Sequence, residues 1–345
     1  MNKSMNKLAM MLVLSSTLIF NACRKDEETT VITPDTKGVI VLNEGGFQKS
    51  NGSVGIYKPG TSSYSDLFKT ANGRPLGDVV QSITEIAGKY YIVVNNSNKI
   101  EVVNKSDFKS VATININQPR NVLKVNDNKA YISQFDNTMS VLDLNSNTIN
   151  STINIKASTD NMALLNNKIY VCKAYSNKIF VINGTDNAVI DSLIIGSGLA
   201  SIANVGTTKL ALFCLGTVDF STGAITENGK IVFINQDSVK IERTFPLTTG
   251  SYGGSMISYS SNLYFTFGDK KLYSMSNTAT SGSTKNVLTS SGNIYGFNVN
   301  NDGEIFVTDA GDFTSEGKVY IYNATGVKQK EFTAGIVPSK ILFNY

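Results

Sequence analysis

Three stretches of this chain align with one another. Residues 89–116 read KYYIVVNNSNKIEVVNKSDFKSVATINI, residues 129–155 read KAYISQFDNTMSVLDLNSNTINSTINI, and residues 168–195 read KIYVCKAYSNKIFVINGTDNAVIDSLII. Each holds a Tyr-containing strand, an Asn-rich loop, an Ile/Val strand ending in Asp or Asn, a turn and a further strand. Tyr91, Tyr131 and Tyr170 fall 40 and 39 residues apart. A period of this length marks a propeller or a solenoid, in which each unit hides its apolar face only against its neighbours. The apolar residues alternate with a period near two, which excludes a helical solenoid.

Weaker copies complete the ring. Lys209–Phe213 with Gly229–Asn235, Asn262–Thr266 with Lys271–Met275, and Glu304–Thr308 with Gly317–Asn323 repeat the central pair of strands. Gly38–Leu42 with Gly52–Tyr57 opens the series. A further strand precedes the Tyr strand in six units, beginning near Val79, Asn121, Asn161, Ser201, Ser255 and Tyr295. The first unit lacks one, and Val337–Phe343 at the end of the chain supplies it. The expectation is an all-β, seven-bladed β-propeller over residues 38–345, with four-stranded blades of about 44 residues each. The C-terminal strand sits innermost in the N-terminal blade, closing the ring and protecting sheet edges. Asn-, Asp- and Gly-rich turns separate the strands, as in Asn126-Asp127-Asn128 and Asn301-Asp302-Gly303. No helix is expected beyond the N-terminal leader.

That leader reads as export. Lys3 and Lys7 precede an apolar run, Leu8–Phe20, too short to span a bilayer comfortably and fitting a signal-peptide core. Ala22-Cys23 at its end resembles a bacterial lipobox. The resemblance implies removal of residues 1–22 and lipidation of Cys23. Arg24-Lys25-Asp26-Glu27-Glu28 resembles the export signal of Bacteroidetes lipoproteins and implies the outer face of the outer membrane. Residues 23–37 then form a flexible tether between a membrane anchor and the propeller.

Composition removes several functions. The chain contains no histidine, so it builds no Ser-His-Asp triad, His-ligated zinc or His proton shuttle. The formal net charge is +4, lower by two without Lys3 and Lys7, with no basic stripe for nucleic acid. Asp269, Asp309 and Asp312 form a possible acidic patch, yet no Asp-x-Asp-x-Asp-Gly calcium loop is present. The reading is therefore of a non-enzyme carrying no metal and no cofactor. Cys172 and Cys214 are expected as buried thiols rather than a pair.

Ala130–Ser133, Thr138–Asp143 and Asn147–Ile149 resemble the YVTN-type repeat of YncE-like propellers. Val41–Gly45, followed by Asn51–Ser53 and Tyr57, resembles the opening of a Bacteroidetes lipoprotein subgroup of that family, the BtuG-like propellers. That subgroup includes a surface propeller capturing corrinoids above a vitamin B12 transporter. The resemblance implies a surface-exposed protein that takes a corrinoid or another nutrient for a TonB-dependent outer-membrane receptor. A protein- or glycan-binding propeller is the alternative, and a propeller lyase or oxidoreductase is a third.

In a propeller, the loops between the second and third strands and the loops between blades open on one face around the central channel. The ligand-binding candidates on that face are Asn95, Arg120, Phe135, Asp136, Tyr175, Phe220, Tyr252, Tyr295 and Asp309, with Glu44, Asp160 and Phe313 in the same loops. Aromatic rings can cover a flat apolar face while Asn, Asp and Arg meet amides or hydroxyls.

Overall fold

The computed structural model describes residues 34–235, 241–247 and 253–345. Seven four-stranded antiparallel sheets are arranged as the blades of a propeller. Blade I runs, from the channel outward, Pro338–Asn344, Gly38–Asn43, Ser53–Lys58 and Ser63–Asp66. The innermost strands of blades II to VII are Val80–Ile86, Pro119–Lys124, Thr159–Leu165, Leu199–Val205, Ser255–Tyr259 and Gly296–Val299. The last strand of the chain thus closes the first blade. Its register runs from Gly38 opposite Asn344 to Asn43 opposite Pro338.

Burial explains why the second strands read as unbroken apolar runs. Gly38–Asn43 is buried at every residue, and Lys89–Val94 at every residue but the first. Both faces of such a strand meet a neighbouring blade, so alternate residues enter different cores. Ile92 and Val94 pack with Ile40 and Leu42 of blade I, whereas Tyr91 and Val93 pack with Ala130 and Ile132 of blade III. Among the described residues, each junction between neighbouring blades holds its own apolar cluster. A fully buried Leu, Ile or Phe contributes about 1.5–3 kcal/mol. The outermost strands have solvent on one side, and Ser110–Asn115 and Val189–Ile194 are mostly exposed or half-buried.

Cys172 and Cys214 are unpaired and buried in the cluster between blades IV and V. Burial pushes the Cys172 thiol well up and the Cys214 thiol to about 12.

Two features depart from the sequence expectation. A short α-helix, Leu67–Asn72, follows the outer strand of blade I. Asp66 caps it by accepting from Lys69 N at 2.9 Å, Gly73 ends it at φ 65°, and its own Leu67 and Phe68 are the side chains it buries. The long loop of blade V carries its own small hairpin, Thr217–Val218 with Ile225–Glu227.

Bulges organise the channel end. The ladder between first and second strands shifts between Val80 and Ser82, Pro119 and Asn121, Thr159 and Met162, and Leu199 and Ser201. The residues thrown out of register include Gln81, Arg120, Asp160 and Ala200, one per blade. A bulge re-aims side chains at a sheet end. The residue before the inner strand is left-handed at Val79 (φ 56°) and Val337 (φ 54°), a costly conformation for a β-branched residue.

The first described residues lie at the other end of the propeller. Asn344 Nδ2 donates to Thr36 O at 2.7 Å, and Lys37 Nζ donates to Tyr345 O at 2.7 Å. The chain therefore reaches blade I at the end of the inner strand remote from Pro338.

Candidate ligand site at the channel mouth

A cavity of about 600 Å³ opens where the inner strands begin. Its wall takes Gln81, Arg120, Asp160, Ala200 and Ser339 from the starts of inner strands, Glu44 from a within-blade loop, Asp309 from the end of the second strand of blade VII, and Lys340 from the closing strand. Gly253, Gly254, Gly268, Gly296 and Gly311 leave room on the side of blades V to VII. Gly296 has no alternative, since a Cβ there would sit 1.8 Å from Ser339 O.

Arg120 is the hub on one side. Its guanidinium donates to Asp160 Oδ2 at 3.0 Å and to Gln81 Oε1, joining equivalent bulge positions of three consecutive blades. Asn121 Nδ2 adds a bond of 2.9 Å to Asp160 Oδ1. The Phe135 ring lies 4.3 Å from the guanidinium carbon, a cation–π contact. Arg120 Nε is buried without a hydrogen-bond partner.

Across the mouth stands a different group. Tyr295 Oη donates to Glu44 Oε2 at 3.2 Å, and the Tyr295 ring meets Phe313 edge-on at 5.4 Å. Burial pushes the Glu44 carboxyl up, and the Tyr295 bond and the Lys340 and Arg120 charges offset this only in part. Burial likewise pushes the Lys340 ammonium down, against the attraction of Asp160 and Glu44. Among the described residues no hydrogen bond or ion pair ties that ammonium.

Of the sequence candidates, Arg120, Tyr295 and Asp309 line the cavity. Phe135 backs Arg120, and Tyr175 extends the aromatic edge 5.8 Å beyond Phe135, with 94% of its surface exposed. Asn95 lies outside the wall, its amide donating to Pro119 O at 2.9 Å to stitch two blades together. The Asp136 carboxylate serves its own loop, accepting from Gln134 Nε2 and from Thr138. Phe220 stands exposed on the blade V hairpin, outside the wall. Tyr252, Cys23 and the leader lie outside the described residues. Arg74, another between-blade residue, faces Glu101 instead, at 2.6 Å.

Lys340 and Gln81 were not among the candidates. Lys340 sits in a strand whose neighbours are apolar, where a lone charge reads as a solvent-facing alternation. The available signal was closure itself: a charged residue on the innermost strand of a ring has the channel beside it. Gln81 differs from Arg120 by 39 residues, the repeat period.

These features define a seven-bladed propeller with a polar, aromatic-edged channel mouth. Residues 37–204 match the family described as a domain of unknown function, DUF5074. No curated protein matches the sequence. Among solved structures, the chain resembles a quinonprotein alcohol dehydrogenase-like protein from Bacteroides thetaiotaomicron at 17% identity and TM-score 0.70, covering 90% of this chain and 79% of that one. It also resembles the hydrazine synthase of Kuenenia stuttgartiensis (14%, TM-score 0.58, 78% and 80% covered). The Pan2 WD40 domain of Neurospora crassa is similar too (9%, TM-score 0.58, 80% and 86% covered). Likeness at these identities speaks for the fold, and the fold hosts many functions.

Proposed function

We propose that this protein is a ligand-capturing propeller rather than an enzyme, anchored at the cell surface through Cys23, and that its ligand docks at the channel mouth. The observation that carries the reading is the mouth itself. Polar groups from all seven blades converge on a cavity of about 600 Å³ edged by Tyr295 and Phe313, a size and composition typical of ligand sites. The YncE-like repeat and the Val41–Gly45 opening support a corrinoid as the ligand class, handed on to an outer-membrane receptor. A cavity of this size holds one edge of such a macrocycle, and the aromatic rim covers part of its face. Calorimetry of the purified protein with cyanocobalamin is the test: stoichiometric binding, weakened by Arg120→Ala and by Tyr295→Ala, supports the reading. No measurable affinity removes it.

A second reading rests on a separate observation. Phe47, in a loop of blade I on the mouth face, is 68% exposed, and Tyr175 of blade IV stands out on the same face. Exposed rings spread around a ring of blades suit a protein partner seated over the mouth. Co-purification of a TonB-dependent receptor with wild-type protein, lost in Phe47→Ala/Tyr175→Ala, separates this from ligand capture alone.

A further inference from the structure

The charges around the mouth are arranged in a way that selects among ligands. Arg120 and Asp160 already satisfy one another across a 3.0 Å pair. Lys340 and Glu44 do not: they feel each other's charge, yet no ion pair joins them. An anion entering the cavity would meet Glu44 and Asp309. A cation would meet Lys340 and the guanidinium of Arg120. Charges of both signs share one wall, Glu44, Asp160 and Asp309 with Arg120 and Lys340, so a ligand with a net charge finds no uniformly attractive surface there. The wall's own groups follow the same rule, since burial disfavours the charged forms of both Glu44 and Lys340.

What remains is a donor, Lys340, and an acceptor, Glu44, facing one space without being joined. Building on the ligand-capture reading, we propose that the mouth selects an uncharged ligand and seats one of its carboxamides between Lys340 and Glu44. A carboxamide carries an acceptor oxygen and N–H donors on a single planar unit, so it bridges a donor and an acceptor too far apart to pair directly. Its oxygen accepts from the Lys340 ammonium, and its N–H donates to the Glu44 carboxylate. The Tyr295 hydroxyl, already bonded to Glu44 at 3.2 Å, holds that carboxylate in place. Arg120 Nε, buried and without a partner in the same wall, offers a further donor.

The chemistry has two natural sources, the amide arms of a corrinoid and the acetamido groups of an N-acetylated glycan. Calorimetry on the purified full chain uses three probes: cyanocobalamin, its derivative with peripheral amides hydrolysed to carboxylates, and N,N′-diacetylchitobiose. At least one amide probe should bind. Lys340→Met should weaken that probe about tenfold, and hydrolysis of cyanocobalamin should cost about as much. Glu44→Gln should recover binding of the hydrolysed form, because the repelling carboxylate is gone. Thermal unfolding of each variant establishes that it is folded. If amide and acid forms of cyanocobalamin bind alike, or Lys340→Met binds as wild type does, the carboxamide seat is wrong while ligand capture stands. If only the chitobiose binds, in a Lys340-dependent way, the seat stands and the corrinoid reading falls. If no probe binds, both fall.

Discussion

The phenol of Tyr91 donates to Asn147 Oδ1 at 2.7 Å, tying the second strand of blade II to the outer turn of blade III. One blade further on, Tyr131 makes the same bond to Asn187 of blade IV. Both acceptors sit in the left-handed region, Asn147 at φ 55° and Asn187 at φ 65°, which asparagine tolerates better than most residues. At Tyr91 and Tyr131 the recurring tyrosine is thus a latch between blades and the turn asparagine is its catch, whereas the Tyr170 hydroxyl is buried without a hydrogen-bond partner.

Removing a latch should loosen one junction. Tyr91→Phe keeps the ring in its cluster and deletes only the hydrogen bond, so a loss of about 1 kcal/mol is expected. In a protein of this size that lowers the Tm by roughly 2 °C. Differential scanning calorimetry of Tyr91→Phe, Tyr131→Phe and the double variant checks it. The two effects should add, because the latches close different junctions.

Glu101 gives a pH-dependent prediction. Its carboxylate is fully buried and accepts from Arg74 at 2.6 Å, Lys99 at 2.9 Å and Ser110. Burial pushes its pKa up from 4.5, but the hydrogen bonds from Arg74, Ser110 and Lys99 outweigh it and the net shift is downward. A lowered folded pKa means the contribution is complete above about pH 4.5 and is lost as the pH falls through the folded value. Glu101→Gln leaves the two cations facing a neutral amide, at a cost of about 3 kcal/mol at neutral pH. The Tm gap between wild type and variant should be several degrees at pH 7 and narrow progressively toward pH 3.

Lys340 runs the other way. Burial lowers its folded pKa below 10.5, so its ammonium costs stability while protonated, and that cost is relieved only as the pH rises through the folded value. Lys340→Met should raise the Tm of the ligand-free protein by a few degrees. Sites that give up stability in this way are commonly functional. A Tm equal to or below that of wild type would contradict the account of an unpaired channel lysine.

The closing strand sets the limit of the fold. Deleting residues 338–345 removes the innermost strand of blade I and leaves Gly38–Asn43 as a bare edge toward the channel. Such an edge is a template for aggregation. The truncated chain is expected to be insoluble or to lack a cooperative unfolding transition, measured by circular dichroism on heating.

Much of this architecture was legible in residue order. The 40-residue spacing of the tyrosines located the blades, and the missing strand of the first unit pointed to Pro338–Asn344. The mouth was legible in part. The repeat puts Arg120, Tyr295 and Asp309 in loops of one face, and the structure finds them at that face, with Arg120 and Asp309 at strand ends. Asn95 and Asp136 share those loops, but their side chains serve local hydrogen bonds, a distinction that depends on rotamers and not on composition. The bulges were invisible, because a one-residue register shift leaves the alternation of Val79–Ile86 nearly unchanged. The helix at Leu67–Asn72 was announced by Asp66 and Gly73, but six residues carry too little periodicity to stand out.

The chain reaches blade I beside Asn344 and Tyr345, whereas the cavity opens beside Ser339 and Lys340. The first described residues and the cavity therefore stand at opposite ends of the innermost strand of blade I. Changes at Thr36 or Lys37 can accordingly alter that far end while every side chain around the bowl keeps its place.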